Sequence, residues 1–596
     1  MSAIETDVLV LGGGPAGAWA AVSAAALGVR VVLVDKQRVG IASAAWGHRP
    51  WQVPPGAARD AAIRQAHRSG GELGDPDEMH RILDETCHRL GQLAAWGRHG
   101  GRANYFHALR RRLHGAGVRV LEYHPVLQLL VDRDGVVAGA TGLRADHQQW
   151  TVRAGAVVLA TGGCDFLAGG SDIHTGDGLL CAAEAGAQLS GMEFSSAYDL
   201  VSAVGTPVTF EKYYDDAGTE LTDHAAALDV IALGHRVYGA LGDLGGPAGA
   251  VDSFGWGPTA ATAGSAERVS GAGAAVSTGR MGAAAPAGRV SAGEAAGSVG
   301  RVPLRPVLRG TVGGAGGLLT GADGATTVDG LYAAGDAAAR ESILGAAHAA
   351  GGQGGAWAIA SGVWAGAGAA RCALERGVPT TAHPVPGAGL NSRSRIDPRA
   401  VVGLVQEHTL PLRRSYWRSA GSLRDSIAEL DALWPGAVLE LGGAGPVRLQ
   451  ARQAAALLAV ARWTKYSALA RTESRGMHRR TDHPGAAQDW RVRLTSGGLD
   501  RIWVRTGADS RVQPVRAARL PVPRGRRPDS EDHDVSPDIR RGAGQLSGLA
   551  TVRSDREVTE LTGFRRTPGQ ESAVVRGELA AEPADRPADP GAAVAS

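Results

Sequence analysis

The feature that most constrains the fold lies near the N-terminus, between Val8 and Asp35. Four apolar residues, Val8 to Leu11, lead into Gly12-Gly-Gly14-Pro15-Ala16-Gly17. An alanine-rich run then reaches Leu27-Gly28, and Val29 to Val34 ends on Asp35. A short apolar run of this kind suits a strand buried on both faces of a parallel sheet. Gly12, Gly14 and Gly17 satisfy G-x-G-x-x-G at a strand-to-helix turn. Gly12 permits the tight turn, Gly14 lets backbone approach a pyrophosphate, and Gly17 lets the helix close on the strand. The helix start, at Pro15 and Ala16, offers free N–H groups and the positive end of a dipole to that phosphate. Asp35 stands where a carboxylate can accept hydrogen bonds from ribose hydroxyls, and Lys36 follows it. In a chain with 87 glycines a glycine motif alone says little. Strand, turn, helix, second strand and acid in register predict a dinucleotide-binding βαβ unit.

The unit begins too close to the first residue for a signal or transit peptide to precede it, and a cytoplasmic location is expected. The 596 residues suffice for several domains, and a net charge of +3 gives no argument for nucleic acid or an anionic membrane. No run approaches the roughly 18 apolar residues of a membrane span. Cys87, Cys164, Cys181 and Cys372 are scattered, with no C-x-x-C pair. That spacing argues against a disulfide framework or an iron–sulfur cluster held by this chain, and no metal site is expected.

Further along, residues 36 to about 110 read as helical, with apolar spacing from Arg81 to Trp96. Val118–Val120, Leu127–Val131, Val136–Gly142 and Gln149–Val152 read as strands separated by turns, and Ala156–Gly163 as another buried strand ending in glycines. Thr175-Gly-Asp177-Gly178 opens a helix, Gly330 to Asp336 is a strand running into a loop, and Gly351–Arg371 is a helix of small residues. Helices are expected at Ser422–Leu433 and Leu449–Leu469, then an extended stretch at Ile502–Val504. Residues 257–308 have no aromatic residue, and beyond Arg505 the only one is Phe564. Neither segment can bury much apolar surface. Both have the composition that GC-rich codons give when read out of frame, so disorder and a displaced frame are both open.

Several motifs then coincide in order: Gly12–Gly17, Ala160-Thr161-Gly162-Gly163, Thr175-Gly-Asp177-Gly178, Gly330-Leu-Tyr-Ala-Ala-Gly335-Asp336, and Glu473-Ser-Arg475-Gly-Met-His478. Together they resemble the succinate dehydrogenase/fumarate reductase flavoprotein family, which includes aspartate oxidase and the adenylylsulfate reductase α subunit. The resemblance covers residues 5–195, 311–375 and about 465–505. It implies an α/β fold: a doubly wound, Rossmann-like FAD-binding domain (1–200 and 311–376), an inserted capping domain (201–310, poorly formed at 257–308), a helical region (400–504) and a disordered tail (505–596). It implies FAD held by Gly12, Gly14, Pro15, Ala16, Gly17, Asp35 and Lys36, with Ser43 in a loop along the isoalloxazine. Thr161, Gly162 and Asp177 would lie on the adenine and ribitol side and Gly335 and Asp336 on the ribitol, with Gly352, Gly354 and Gly355 at a helix start facing the flavin's O2/N1 edge. Some relatives attach FAD through a histidine in the loop after the second strand. That place holds Ile41, so non-covalent FAD is expected.

The substrate residues depart from the family's dicarboxylate pattern. Where relatives carry Glu-Phe-x-Gln-Phe-His-Pro, this chain has Glu193-Phe194-Ser195-Ser-Ala-Tyr198-Asp199. Where they carry His-Tyr-x-Met-Gly-Gly it has Arg309-Gly-Thr-Val-Gly-Gly314, and where a substrate arginine precedes the last Gly-Gly it has Ala349 beside His348. Losing those donors disfavours succinate, because a buried carboxylate needs paired cations or hydrogen bonds. Arg309, His348 and Tyr198 are the candidate catalytic residues. Arg340 and Glu341 are weaker candidates, readable also as a solvated pair, while Glu473, Arg475 and His478 read as structural ion pairing. The expected activity is hydride transfer between flavin N5 and a small anionic substrate. One alternative is a flavoprotein subunit paired with a ferredoxin-like iron–sulfur partner, as in the adenylylsulfate reductase branch. Another is a flavin-binding protein without turnover.

Overall fold

The computed structural model describes residues 3–39, 50–94, 102–168, 173–202, 212–221, 224–240, 301–349 and 352–506. All belong to one compact unit, Met1–Ala543. Ser43, Ile41 and most of the 257–308 and 505–596 stretches lie outside these residues.

The central sheet is built from β1 (Ile4–Leu11), β2 (Val31–Val34), β3 (Arg119–Leu121), β4 (Val126–Val131), β5 (Val137–Leu143), β6 (Gln149–Leu159) and β7 (Leu331–Ala333). β3, β2, β1 and β6 are parallel and adjacent in that order, and β7 pairs in parallel with the end of β6. The β4–β5 hairpin extends the sheet on the β6 side. The expected strands at Gln149–Val152 and Ala156–Gly163 are one continuous strand. Its first part pairs with β5 and its last part with β7, while β1 pairs with it from Val152 to Leu159, so a single long strand carries three partners.

Alternation sets the two faces of this sheet. Val8, Val10, Val31, Leu33, Ala156 and Val158 pack under two helices, α1 (Pro15–Ala25) and, later in the chain, Gln353–Arg376. Leu9, Leu11, Val32, Val34, Val157 and Leu159 face the other core. There Asp177–Glu184 (α2) packs with the C-terminal helices. Gln353–Arg376 is hereafter α3, and the two longest helices after it are α4 (Ala420–Leu439) and α5 (Gly445–Ala470). α4 begins with a Ser419–Ser422 capping box, which satisfies N–H groups that a helix start leaves free.

A separate antiparallel sheet takes the order Glu220–Leu221, Lys212–Asp215, Val237–Ala240, Arg301–Arg309, Ala197–Ser202. Residues 301–308 are therefore ordered strand, contrary to the expectation for 257–308. Residues 301–303 pair with Tyr238–Ala240 and residues 304–308 with Tyr198–Ser202, and Leu304 and Leu308 are buried, so backbone pairing along the strand supplies what the missing aromatics do not. Arg505 and Thr506, expected in the tail, close a strand with Trp503.

The C-terminal segment is tied to the sheet side of the molecule by buried charge. Arg471 pairs with Glu193 at 2.9 Å and with Glu473 at 2.9 Å, and Arg475 pairs with Glu473 at 2.7 Å. His478 Nε2 lies 3.0 Å from the Arg471 carbonyl, which can only accept, so Nδ1 accepts from Arg418 at 2.7 Å. The ring is neutral, and burial beside Arg418 and Arg471 holds its pKa well below the ordinary value.

Candidate functional site

The parallel strands end at one level. Leu11 is in register with Val34 and with Leu159, and Leu159 with Ala333. Gly12, Asp35, Ala160 and Ala334 therefore share one edge of the sheet, the edge where open α/β sheets bind ligands. Gly12 has φ +109°, and a Cβ there would lie 2.9 Å from Thr161 N. A Cβ on Gly17 would lie 2.9 Å from the carbonyl carbon of Gly12. Gly14 differs, because a Cβ there meets nothing within 4 Å. Two of the three glycines serve close packing, while the third faces open space at the cap of α1, where Pro15 and Ala16 begin the helix.

Asp35 is buried. Gly13 N–H donates to one carboxylate oxygen and Gln37 N–H to the other at 2.6 Å. Burial raises its pKa above the usual carboxylate value, and these bonds offset part of that. Lys36 Nζ donates to Thr175 Oγ1 at 2.9 Å and lies 3.2 Å from Asp177 Oδ2. This joins the end of β2 to the start of α2. A Cβ on Gly178 would lie 3.1 Å from Thr161 Cβ, so the β6 loop and α2 also touch.

The third turn closes on the same place. Gly335, at φ +63°, donates N–H to Ser361 Oγ at 3.0 Å and accepts from Trp357 Nε1 at 2.9 Å, both on α3. A Cβ on Gly335 would lie 2.8 Å from Ala16 Cβ on α1. Asp336 accepts from Arg340 Nη1 at 2.6 Å. Gly352, at φ +85°, caps α3. Gly354 and Gly355 follow, one near the Arg340 guanidinium and the other 3.3 Å from Pro50 if given a Cβ.

Four buried polar atoms along this edge have no hydrogen-bond partner among the described residues: Thr161 Oγ1, Asp177 Oδ1 and both ring nitrogens of His174. Unpartnered buried polar groups are costly, and native structures keep few of them. Together with the open space over Gly14 and the start of α1, they fit a bound dinucleotide with alternating donors and acceptors.

The candidate catalytic residues divide. Ala197–Ser202 pairs with Arg301–Arg309, placing Leu308 opposite Tyr198 and Val307 opposite Asp199. Asp199 then meets both other candidates, with Oδ2 3.0 Å from Arg309 Nε and Oδ1 2.7 Å from His348 Nε2. Gly313 leaves the room, since a Cβ there would lie 3.2 Å from His348 Nε2. Tyr198 does not join them. Its hydroxyl donates to the Leu410 carbonyl at 3.0 Å and its ring packs edge-on against Tyr416. Burial raises its pKa further from the physiological range. Arg340 and Glu341, readable in the sequence as a solvated pair, are buried and separately engaged. Arg340 grips the Thr311, Val312 and Gly314 carbonyls and so pins the turn beside Arg309, whereas Glu341 bonds Ser190.

Sequence reasoning singled out neither Asp199 nor His174 as a site residue. The signal for Asp199 was present: it occupies the proline place of the Glu-Phe motif, and Arg309 the histidine place of the second motif. The altered positions are neighbours across two paired strands.

The fold and this edge define an FAD-dependent oxidoreductase with a doubly wound flavin domain. A family profile described as FAD dependent oxidoreductase matches residues 7–195, and one described as fumarate reductase flavoprotein C-term matches residues 444–509. Over these two stretches the chain is similar to the succinate dehydrogenase/fumarate reductase flavoprotein family. It is 30% identical to L-aspartate oxidase of Streptomyces coelicolor over 241 residues, 34% of this chain and 42% of that relative. It is 27% identical to L-aspartate oxidase of Mycobacterium leprae over 527 residues, 81% of this chain and 93% of the relative. In structure it is similar to a quinol fumarate reductase chain of E. coli, with a TM-score of 0.63 and 18% identity over 85% of this chain and 97% of that one. No helix among the described residues is long and apolar enough to cross a membrane.

Proposed function

We propose that this flavoprotein moves a hydride between flavin N5 and a small anionic substrate other than a four-carbon dicarboxylate, at the cluster of Arg309, Asp199 and His348. The observation that carries the reading is that cluster. It stands where the dicarboxylate pattern is lost, and one partly exposed carboxylate, Asp199, is shared by Arg309 and His348. Bound FAD supplies the hydride chemistry, and the protein supplies position and electrostatics. The cofactor is held without a covalent bond by the glycine turns, Asp35, Lys36, Thr161 and Asp177. Arg309 orients the anionic group of the substrate, His348 moves the proton that accompanies the hydride, and Asp199 holds both side chains in place. Tyr198, with its hydroxyl committed to Leu410, shapes the wall rather than transferring a proton. The sheet of residues 197–309 caps the site and excludes water. Electrons enter or leave through a cytoplasmic iron–sulfur partner of ferredoxin type, because the four cysteines of this chain are far apart in sequence and the described ones are free.

The test is purification of the yellow protein, acid precipitation, and a substrate panel read as flavin bleaching or reoxidation. FAD is expected in the supernatant, with neither succinate nor fumarate acting. A coloured precipitate refutes non-covalent binding. Turnover of succinate, fumarate or L-aspartate, each a four-carbon dicarboxylate, refutes the substrate assignment; L-aspartate is included because it is named in the activity of the curated relatives.

A further inference from the structure

We propose that His174 is a hydrogen-bonding partner of the flavin–ribityl part of bound FAD, an inference that rests on the flavoprotein reading and adds to it a residue outside the glycine turns. His174 directly precedes Thr175-Gly176-Asp177, and its carbonyl accepts from Asp165 N at 3.1 Å, so its backbone is fixed. The residue is 8% exposed, yet neither ring nitrogen has a partner among the described residues. An apolar side chain of similar size would fill the place without that cost, so an unpartnered imidazole here points to a ligand. Gly162, at φ +80°, makes the room, since a Cβ there would lie 3.3 Å from His174 Nδ1.

The surroundings say which part of the ligand. Asp336, Arg309 and Lys36 all act electrostatically on the ring. They come from the ends of three different strands, so the imidazole stands over the mouth where the cofactor turns and the Arg309 cluster meet. Thr161 Oγ1 and Asp177 Oδ1, also buried and unpartnered, lie on the adjoining loop and helix. Burial, the dominant effect, lowers the His174 pKa to about 4, so at neutral pH it carries one donor and one acceptor and no charge. A neutral ring cannot offset the charge of a pyrophosphate. It can match ribityl hydroxyls or the carbonyl and imide edge of the flavin, where donors and acceptors alternate.

The experiment titrates apoprotein with FAD, following quenching of flavin fluorescence and the absorption bands of the bound flavin, for wild type, His174→Leu and His174→Gln. His174→Leu is expected to bind FAD at least about tenfold more weakly and to shift the bands, while its apoprotein melts no lower than wild type. His174→Gln, which keeps a donor and an acceptor, is expected to recover most of the affinity. FAD affinity within about twofold of wild type together with unshifted bands in His174→Leu overturns the proposal. So does an equal loss in both variants with a lowered apoprotein melting temperature, which would mark a structural role. If His174→Leu does not fold, His174→Gln decides through its spectrum, and unshifted bands overturn the contact. Wild-type apoprotein that takes up no FAD overturns the flavoprotein reading itself, a separate and distinguishable failure.

Discussion

The packing of α1 on α3 makes a quantitative prediction. A Cβ on Gly362 would lie 3.1 Å from Ala16 Cα, and one on Gly366 would lie 2.7 Å from both Cα and the carbonyl carbon of Ala20. Carbon atoms in contact prefer about 3.5–4.0 Å, so Gly366→Ala has to separate the two helices by about 1 Å. The opposing atoms are helix backbone, which cannot rotate away as a side chain can. Overpacking of this kind costs about 1–3 kcal/mol, and alanine returns about 1 kcal/mol through helix propensity. The net expectation is destabilisation of up to about 2 kcal/mol. It is accompanied by weaker FAD binding, because α1 carries the Gly14 cap and the Ala16 contact with Gly335. Gly403, in the helix Pro398–Thr409, is the control: it is exposed and a Cβ there meets nothing, so Gly403→Ala should stabilise by up to about 1 kcal/mol. Urea unfolding of both variants beside FAD titration is the assay. If Gly366→Ala raises the urea midpoint as Gly403→Ala does, with FAD affinity unchanged, the tight-interface argument is wrong.

Three further outcomes are expected. Burial, with Glu193 nearby and against the pull of Arg493 and Arg471, pushes the Glu341 carboxyl up to about 7. A raised carboxyl gives stability that is complete below its unfolded value near 4.5 and is lost as pH rises through about 7. Wild type should therefore lose about 3 kcal/mol relative to Glu341→Gln between pH 4.5 and pH 8, and parallel stability profiles would exclude this titration. Glu184 and Arg452 form a buried pair, 2.6 Å apart on one fork, and Glu184 also accepts from Ala388 N. Glu184→Ala leaves the guanidinium uncompensated and should cost about 3–5 kcal/mol, much of it recovered by adding Arg452→Met; a loss below about 1 kcal/mol in denaturant titration would show the pair to be inert. Asp199→Asn should lower kcat/KM about 10²-fold on whichever substrate bleaches the flavin, with FAD affinity unchanged. Unaltered kinetics would remove Asp199 from the site.

The glycine turns were legible in the sequence because each is bound to a strand end by short-range geometry. Gly12, Ala160 and Gly335 each follow an apolar run, and the strand register then aligns them. The long helices of the C-terminal region were legible from their periodicity, with bounds extended at both ends by capping and packing. Residues 301–308 were misjudged because a strand whose backbone is paired along its length needs few large side chains of its own. Arg340 and Glu341 looked like surface charge because adjacent opposite charges usually are. Their burial depends on the Thr311, Val312 and Gly314 carbonyls and on Ser190, which only the folded chain brings near. His174 gave no periodic or motif signal, since an unpartnered imidazole is a property of three-dimensional surroundings.

The buried charges around Glu193 set an order on biosynthesis. Its guanidinium partner, Arg471, is encoded 278 residues later. While the nascent chain emerges from the ribosome, the acid waits without its counterion, and the layer beside the sheet cannot close. A product that stops before residue 471 would leave the Glu193 carboxylate without the guanidinium that pairs it directly, leaving that face open to proteases and chaperones. Completion of the last helical segment is thus a checkpoint written in charge.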